Sequence, residues 1–467
     1  MNQYDFVVIG SGPAGRRAAI QAAKLDKKVL VIEQGRRVGG VSVHTGTIPS
    51  KTLRETALNL TGWRERGFYG RSYRVKQEIS ADDLRRRLLI TLDHEVDVLE
   101  HQFARNRVHQ LRGKASFIDR NTLEVVKDDG EIVHVHTSAV LLAVGTRPHR
   151  PSHIPFDGRT VIDSDEILEI AELPRSLVVI GAGVIGIEYA TIFSALDTAV
   201  TVVEPRDTML DFIDKEIVED FTYQLRDRNM KLVFGQSAEA VEKTENGKCR
   251  VTLKNGRVLQ AEMVLFAAGR TGAVDALNLG AIGLEADSRG RLKVDPDTFQ
   301  TSVPGIYAAG DVVGFPSLAS TSMEQGRIAA RHAVGAPAHE PPQYFPYGIY
   351  AVPEISTCGL TEEEVQQRGI PYECGIAHFR ETSRGHIMGL DTGMLKMIFS
   401  MKTRRLLGVH IVGEGATELV HIGQAVLNLK GTVEYFVENT FNYPTLAEAY
   451  KIAGLDAWNR MGELKRD

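Results

Sequence analysis

Two stretches of the chain repeat one pattern of apolar and polar positions. In 5–33 an apolar run, Phe6-Val7-Val8-Ile9, gives way to a glycine-rich turn, then to a helix of small residues, then to a second apolar run closed by Glu33. The same order recurs in 176–204, from Leu177-Val178-Val179-Ile180 to Glu204. Short apolar runs bounded by turn residues predict buried strands, and a strand-helix-strand connection of this length is a crossover that requires a parallel sheet. Between the repeats, 81–107 carries a polar helical pattern and 108–144 short alternating strands. Three prolines in 147–155 predict a linker. From residue 341 the pattern changes to short strands at 348–352, 395–399 and 407–412, followed by an apolar helix at 416–429. That order predicts a third domain of α+β type.

A chain of 467 residues exceeds the roughly 250 residues that one core supports, so about three domains are expected. No apolar stretch approaches the ~18 residues of a membrane span. The start of the chain runs into a strand without a leader pattern, which predicts a cytoplasmic protein. A net charge of −5 with scattered basic residues argues against nucleic acid as a partner. Cys249, Cys358 and Cys374 fit neither a Cys-x-x-Cys redox pair nor a metal-ligand spacing, so no metal and no thiol chemistry are expected.

The turn Gly10-Ser11-Gly12-Pro13-Ala14-Gly15 carries the chemistry of the first repeat. Gly10 permits a tight turn, Gly12 lets backbone N–H groups approach a pyrophosphate, and Gly15 permits close helix-strand packing. The helix N-terminus favours the phosphate charge, and Glu33 is placed to accept hydrogen bonds from ribose hydroxyls. Gly181-Ala182-Gly183-Val184-Ile185-Gly186 repeats the device, with Glu204 as its acid. One chain is thus expected to hold two dinucleotides, the arrangement in which an enzyme-bound flavin exchanges hydride with a diffusible nicotinamide.

Further segments extend the pattern. Residues 39–51, Gly-Gly-Val-Ser-Val-His-Thr-Gly-Thr-Ile-Pro-Ser-Lys, are followed by Ala143-Val144-Gly145-Thr146, Ala267-Ala268-Gly269-Arg270, Tyr307-Ala308-Ala309-Gly310-Asp311 and Phe441-Asn442-Tyr443-Pro444-Thr445. In this order they resemble the flavoprotein disulfide reductase superfamily over nearly the full length. The resemblance implies an α/β fold of two Rossmann-like dinucleotide-binding domains, for FAD and NAD(P), plus a C-terminal α+β dimerisation domain. Its segments would be 1–150 (FAD-binding, first part), 151–272 (NAD(P)-binding), 273–340 (FAD-binding, second part) and 341–467 (interface). A homodimer or larger homo-oligomer is implied as well.

The resemblance also assigns roles. For FAD it implies Gly10, Gly12, Gly15, Glu33, Lys51, Gly145, Asp311, Leu318 and Ala319, with Asp311 on the ribityl chain and the 318–319 helix start at the flavin O2 edge. For NAD(P) it implies Gly181, Gly183, Gly186, Glu204 and Gly269. Lys51 would face the flavin N5, paired with Glu188, as the catalytic pair. The family's redox cysteines would fall at Ser42 and Thr47, and its acid-base histidine at Tyr443, with Glu448 retained. Loss of the dithiol and of its base together implies a changed second half-reaction: hydride passed through FAD between NADPH and NAD+. The alternatives are an NAD(P)H diaphorase or quinone reductase, and a flavin-based redox-sensing interaction protein.

Several residues keep two readings. Val184 either leaves the nicotinamide pocket unobstructed or packs in the core. His44 and Tyr443 either line the acceptor side or are satisfied structural residues. Glu204 should favour NAD(H) and repel a 2'-phosphate by about 1 to 4 kcal/mol for charges ~4 Å apart. Arg206 either offsets that repulsion or is a solvated turn residue.

Overall fold

The computed structural model describes residues 2–463. It divides into two compact units, the first made of Met1–Thr52, Arg85–Arg150 and Gly269–Pro341, the second of Leu53–Leu84, Pro151–Ala268 and Pro342–Asp467.

The first unit is built on a five-stranded parallel sheet in the order Ile306–Ala308, Val140–Leu142, Phe6–Ile9, Val29–Glu33, His109–Arg112. Its central strands are apolar on both faces because both are covered, the usual condition of parallel sheets. The helices Pro13–Ala23 and Ala319–Ala333 cross closely on one face. Gly326 permits this, since a side chain there would sit 2.1 Å from the Ala14 carbonyl oxygen. A smaller sheet, in the order Asn2–Tyr4, Ile132–Thr137, Thr122–Val126, Lys114–Asp119, takes the middle strands of 108–144, whose outer strands His109–Arg112 and Val140–Leu142 belong to the parallel sheet.

The second unit repeats the plan. Its parallel sheet runs Val161–Asp163, Met263–Phe266, Ser176–Ile180, Ala199–Glu204, Lys231–Phe234, so the strand before each glycine turn is central in both sheets. A three-stranded antiparallel sheet (Ala238–Lys243, Cys249–Leu253, Val258–Ala261) lies within the same unit. The C-terminal part is a five-stranded antiparallel sheet, Tyr347–Ile349, Ile355–Gly359, Leu406–Val412, Met394–Ser400, Tyr372–His378, with the helices Ala416–Asn428 and Glu448–Glu463 packed on it.

One expectation is corrected. The stretch 147–155 is not linker throughout, because Thr146–Pro148 pairs antiparallel with Arg270–Gly272. Its proline ends the strand and therefore breaks no ladder.

Buried charge ties the nucleotide fold of the second unit to the C-terminal sheet. Asp214 caps the helix Lys215–Asp227 through the Glu216 N–H and also accepts the Glu362 N–H at 3.0 Å. Lys396, itself 1% exposed, donates to Asp214 at 3.0 Å and to Glu216 at 2.9 Å, and pairs with Glu362. Burial alone would raise the Glu362 carboxyl, but its bonds from Lys396 and Tyr372 hold it below its ordinary value; Asp214 is likewise held low against burial by neighbouring positive groups. Lowered carboxylates stabilise the fold fully above the ordinary carboxylate range, near pH 4, and less as pH falls through the folded values. Lys396→Met strands Asp214 as an unpaired buried charge. We expect a loss of about 3–5 kcal/mol at pH 7 in urea unfolding. The gap to wild type should narrow as pH falls and the stranded carboxylate protonates; a gap that is small at pH 7 or widens in acid would refute this account.

Candidate dinucleotide sites

Each glycine turn leaves the end of a central strand and starts a helix at the edge where parallel sheets accept ligands. Gly10 and Gly181 have φ of +100° and +106°, which a side-chain-bearing residue rarely adopts. A Cβ on Gly15 or Gly186 would lie 1.9 or 2.0 Å from the carbonyl oxygen of Gly10 or Gly181, so each helix packs against its own turn at glycine-only distance. Gly12 and Gly183 differ from these. Nothing stands within 4 Å of a Cβ built on either, and neither helix start has a side-chain cap. Such a cradle suits a pyrophosphate.

The acids close both turns in one way. Glu33 accepts the Ser11 N–H at 2.9 Å, and Glu204 accepts the Ala182 N–H at 2.7 Å. Their other partners differ. Glu33 is also bonded by the Ser11 hydroxyl at 2.5 Å and the Gly35 N–H at 2.7 Å, all uncharged donors. Glu204 takes the Arg206 guanidinium at 2.8 Å. Burial alone would raise the Glu204 carboxyl, but Arg206 and the Ala182 N–H bring it below its ordinary value, while the same pairing raises Arg206.

The remaining FAD-set residues, Lys51, Gly145, Asp311, Leu318 and Ala319, fall in the first unit with the first glycine turn. Asp311 is half-buried, and burial pushes its carboxyl above the usual range against the opposing effects of Arg270 and Thr146. Its bond from the Thr146 hydroxyl is long, 3.4 Å. A desolvated carboxylate so weakly held fits a ligand hydroxyl. Gly145 has φ +66° with open space above it, and Leu318 is the N-cap of Ala319–Ala333 without a side-chain cap. Lys51 lies in the helix Thr47–Leu60 and donates to the Ser50 hydroxyl at 3.2 Å. These features together fit FAD.

Glu188 falls in the second unit with Gly181, Gly183, Gly186 and Glu204. It is buried and accepts the Tyr350 N–H at 2.9 Å. Gly269, expected with this set, falls in the first unit, where its carbonyl accepts the His149 N–H. Val184 begins its helix and packs against the core. The His44 ring bonds the Val38 carbonyl at 3.0 Å. Tyr443 is 68% exposed, and its hydroxyl meets the Ser383 hydroxyl at 2.6 Å, while Glu448 accepts the Ser383 N–H. Two contributors escaped the sequence reading. Ser11 bridges Glu33 and the Gly39 N–H, and Asp211 pairs with Arg206 at 2.6 Å. A serine between the first two motif glycines was the available signal for Ser11; Asp211 had none.

All three cysteines are free and buried. Burial raises the Cys249 thiol and pushes Cys358 and Cys374 up to about 12, which suppresses the reactive thiolate. Among the described residues no helix is long and apolar enough to cross a membrane, and no cluster of His, Cys, Asp and Glu could hold a metal ion.

The family profile described as "Pyridine nucleotide-disulphide oxidoreductase" matches residues 4–326, and that of the family's dimerisation domain matches 345–453. The chain belongs to the pyridine nucleotide-disulphide oxidoreductase family. Members of this family are FAD-dependent and use NAD(P)H. The architecture is accordingly two dinucleotide-binding domains followed by the family's dimerisation domain. A protein of Mycobacterium bovis BCG named soluble pyridine nucleotide transhydrogenase is 52% identical over 100% of the chain and 99% of its own length. Proteins of the same name from Colwellia psychrerythraea and Pseudomonas aeruginosa are 42% and 41% identical, each over 98% of the chain and 98% and 99% of their own lengths. The solved structure of LpdA from Mycobacterium tuberculosis superposes with a TM-score of 0.89 over 97% of the chain and 99% of its own length at 24% identity. That of the HOCl-induced flavoprotein disulfide reductase RclA from Escherichia coli gives 0.86 over 97% and 99% at 25% identity.

The two inner-glycine roles separate on substitution. Gly186→Ala forces a backbone clash and should destabilise by about 1–3 kcal/mol, whereas Gly183→Ala should stay within about 0.5 kcal/mol of wild type. Equal losses in thermal unfolding without nucleotide would contradict the packing described.

Proposed function

We propose that the chain is a soluble FAD-containing pyridine nucleotide transhydrogenase, interconverting NADPH + NAD+ with NADP+ + NADH. Full-length relatives of that name at up to 52% identity carry the reading, and the two dinucleotide turns supply its physical basis. FAD, when bound, takes up hydride from one nicotinamide and passes it to another.

The residues contribute binding, orientation and charge. Gly10, Gly12, Gly15 and Glu33 hold the FAD pyrophosphate and ribose, Asp311 takes a hydroxyl of the ribityl chain, and Gly145 lets the backbone approach. The uncapped helix start at Leu318 and Ala319 presents positive partial charge, and Lys51 supplies a full cation, where negative charge arrives. Gly181, Gly183, Gly186, Glu204 and Gly269 hold the nicotinamide nucleotide. Ser42 and Thr47 occupy the places of the family's cysteines, and the three thiols present are buried, so the acceptor is a second nucleotide rather than a protein disulfide. The protein is a homo-oligomer through its dimerisation domain; we assign it as a cytoplasmic homodimer.

Steady-state turnover with NADPH and an NAD+ analogue tests the reaction directly; flavin reduction by NADPH without reoxidation by the analogue, but with rapid reoxidation by a quinone, would replace the assignment with a quinone reductase. Replacing Cys249, Cys358 and Cys374 together by Ala should preserve transhydrogenation, and its loss in a folded variant would reveal a thiol role. Lys51→Met should slow flavin reduction in stopped flow by roughly 100- to 1000-fold, the range for one preorganised electrostatic contact. A wild-type rate would remove Lys51 from the reaction.

A further inference from the structure

The strand Tyr347–Ile349 pairs antiparallel with Ile355–Gly359, and the ladder ends at Ile349 and Ile355. The backbone of the hairpin tip, 350–354, must then find its partners outside that ladder. Side chains from three other elements supply them. The helix Val184–Ala195, which starts at the second glycine turn, gives two: Glu188 accepts the Tyr350 N–H at 2.9 Å, and the Thr191 hydroxyl accepts the Val352 N–H at 3.0 Å. On the carbonyl side, Arg54 of the helix Thr47–Leu60 gives Nε to Ala351 at 2.9 Å. Arg228, at the end of the helix Lys215–Asp227, gives Nη1 to the Val352 carbonyl at 2.7 Å. Glu354 closes the tip, since its carbonyl accepts the Gly413 N–H at 2.8 Å and its carboxylate takes the Thr417 hydroxyl at 2.7 Å. Ala351, Val352, Arg54, Glu188 and Thr191 are all buried.

Glu188 and Thr191 stand three residues apart, hence on one face of their helix, and the N–H groups they accept stand two residues apart on the tip. The two bonds together fix helix and tip in one register. Thr191 can serve as acceptor because its hydroxyl proton is spent on its own helix, on the carbonyl oxygens of Ile187 at 2.9 Å and Glu188 at 3.0 Å. A lone pair is left for Val352. A buried carboxylate that takes a charge-assisted bond from a fixed N–H is held in one orientation.

We propose that the tip 350–354 is a strap that fixes the Glu188 carboxylate ahead of hydride transfer, and that Thr191 is a positioning residue acting through the Val352 N–H. The inference rests on the reading of Glu188 as part of the hydride-transfer site. Charge set in place beforehand needs no reorganisation while the reaction proceeds. Without the Thr191 bond the tip is free to shift, the Tyr350 N–H leaves Glu188, and the carboxylate turns. The strap lies within the dimerisation domain, residues 345–453, which thereby serves the chemistry of its own chain as well as assembly.

The test is stopped-flow reduction of the FAD-loaded protein by NADH, read as a limiting rate and a half-saturating concentration. Thr191→Val keeps the side-chain shape and removes the acceptor. It should lower the limiting rate roughly 10- to 100-fold, the effect of displacing a positioned group by about 1 Å, with half-saturation unchanged because the glycine turn is untouched. Thr191→Ser, which keeps the hydroxyl, should restore most of the rate. Arg228→Met releases Val352 from its carbonyl side and should show the same split, so it carries the test should Thr191→Val fail to fold. In a Glu188→Gln background, where the charge is gone, the Thr191→Val loss should largely vanish. A wild-type rate in Thr191→Val, or an equal loss with and without the Glu188 charge, would overturn the strap. A wild-type rate in Glu188→Gln alone would instead remove Glu188 from the reaction, and with it the reading on which the strap rests. Only the first half-reaction is measured, so failure of hydride transfer to a second nucleotide would sink the transhydrogenase assignment and leave this result standing.

Discussion

A carboxylate at the end of one strand accepting the N–H that follows the first glycine of its neighbour is the contact on which both nucleotide folds turn. It joins two parallel strands beyond their last ladder bond, in Glu33 to Ser11 and again in Glu204 to Ala182. The glycine turn is then held open, the helix after it starts without a side-chain cap, and the third glycine brings that helix against the turn. A ligand cradle follows from strand-end geometry rather than from a dedicated loop. What the second carboxylate oxygen meets then separates the two sites. Hydroxyl and amide donors meet Glu33, whereas Glu204 meets a guanidinium that Asp211 holds from its other side.

The same economy shows in the thiols. A family defined by disulfide chemistry is represented here by a chain whose cysteines lie in sheets, desolvated and disfavoured as thiolates. Ser42 keeps a hydrogen bond to the Gly39 carbonyl, so the short helix Gly40–His44 is held without a sulfur. In the proposed reaction, hydride transfer then depends on positions that serve both half-reactions.

Legibility in the sequence followed locality. The glycine turns and their acids were readable because each needs a special residue at a fixed spacing, and the C-terminal strands 394–400 and 406–412 were readable from apolar runs. The antiparallel sheet of 238–261 passed unnoticed although both of its turns carry Asn-Gly, Asn246-Gly247 and Asn255-Gly256, with both glycines at positive φ. Arg147 and Pro148 fall in the expected linker because the partner of their strand lies more than a hundred residues away. Asp211 was illegible for a different reason: its direction comes from a left-handed leucine, and leucine is not a residue that announces such a turn.

The parallel sheet of the first unit draws its edge strand, Ile306–Ala308, from far along the chain, against Val140–Leu142. During synthesis that partner waits for roughly 160 further residues, which at ~5–20 residues per second is on the order of 10–30 s on the ribosome. Throughout that interval Val140, Leu141 and Leu142, fully covered in the finished protein, present an open sheet edge. The second nucleotide fold, inserted in between, has time to close first. The nascent chain thus closes its first sheet only after the second parallel sheet has been made.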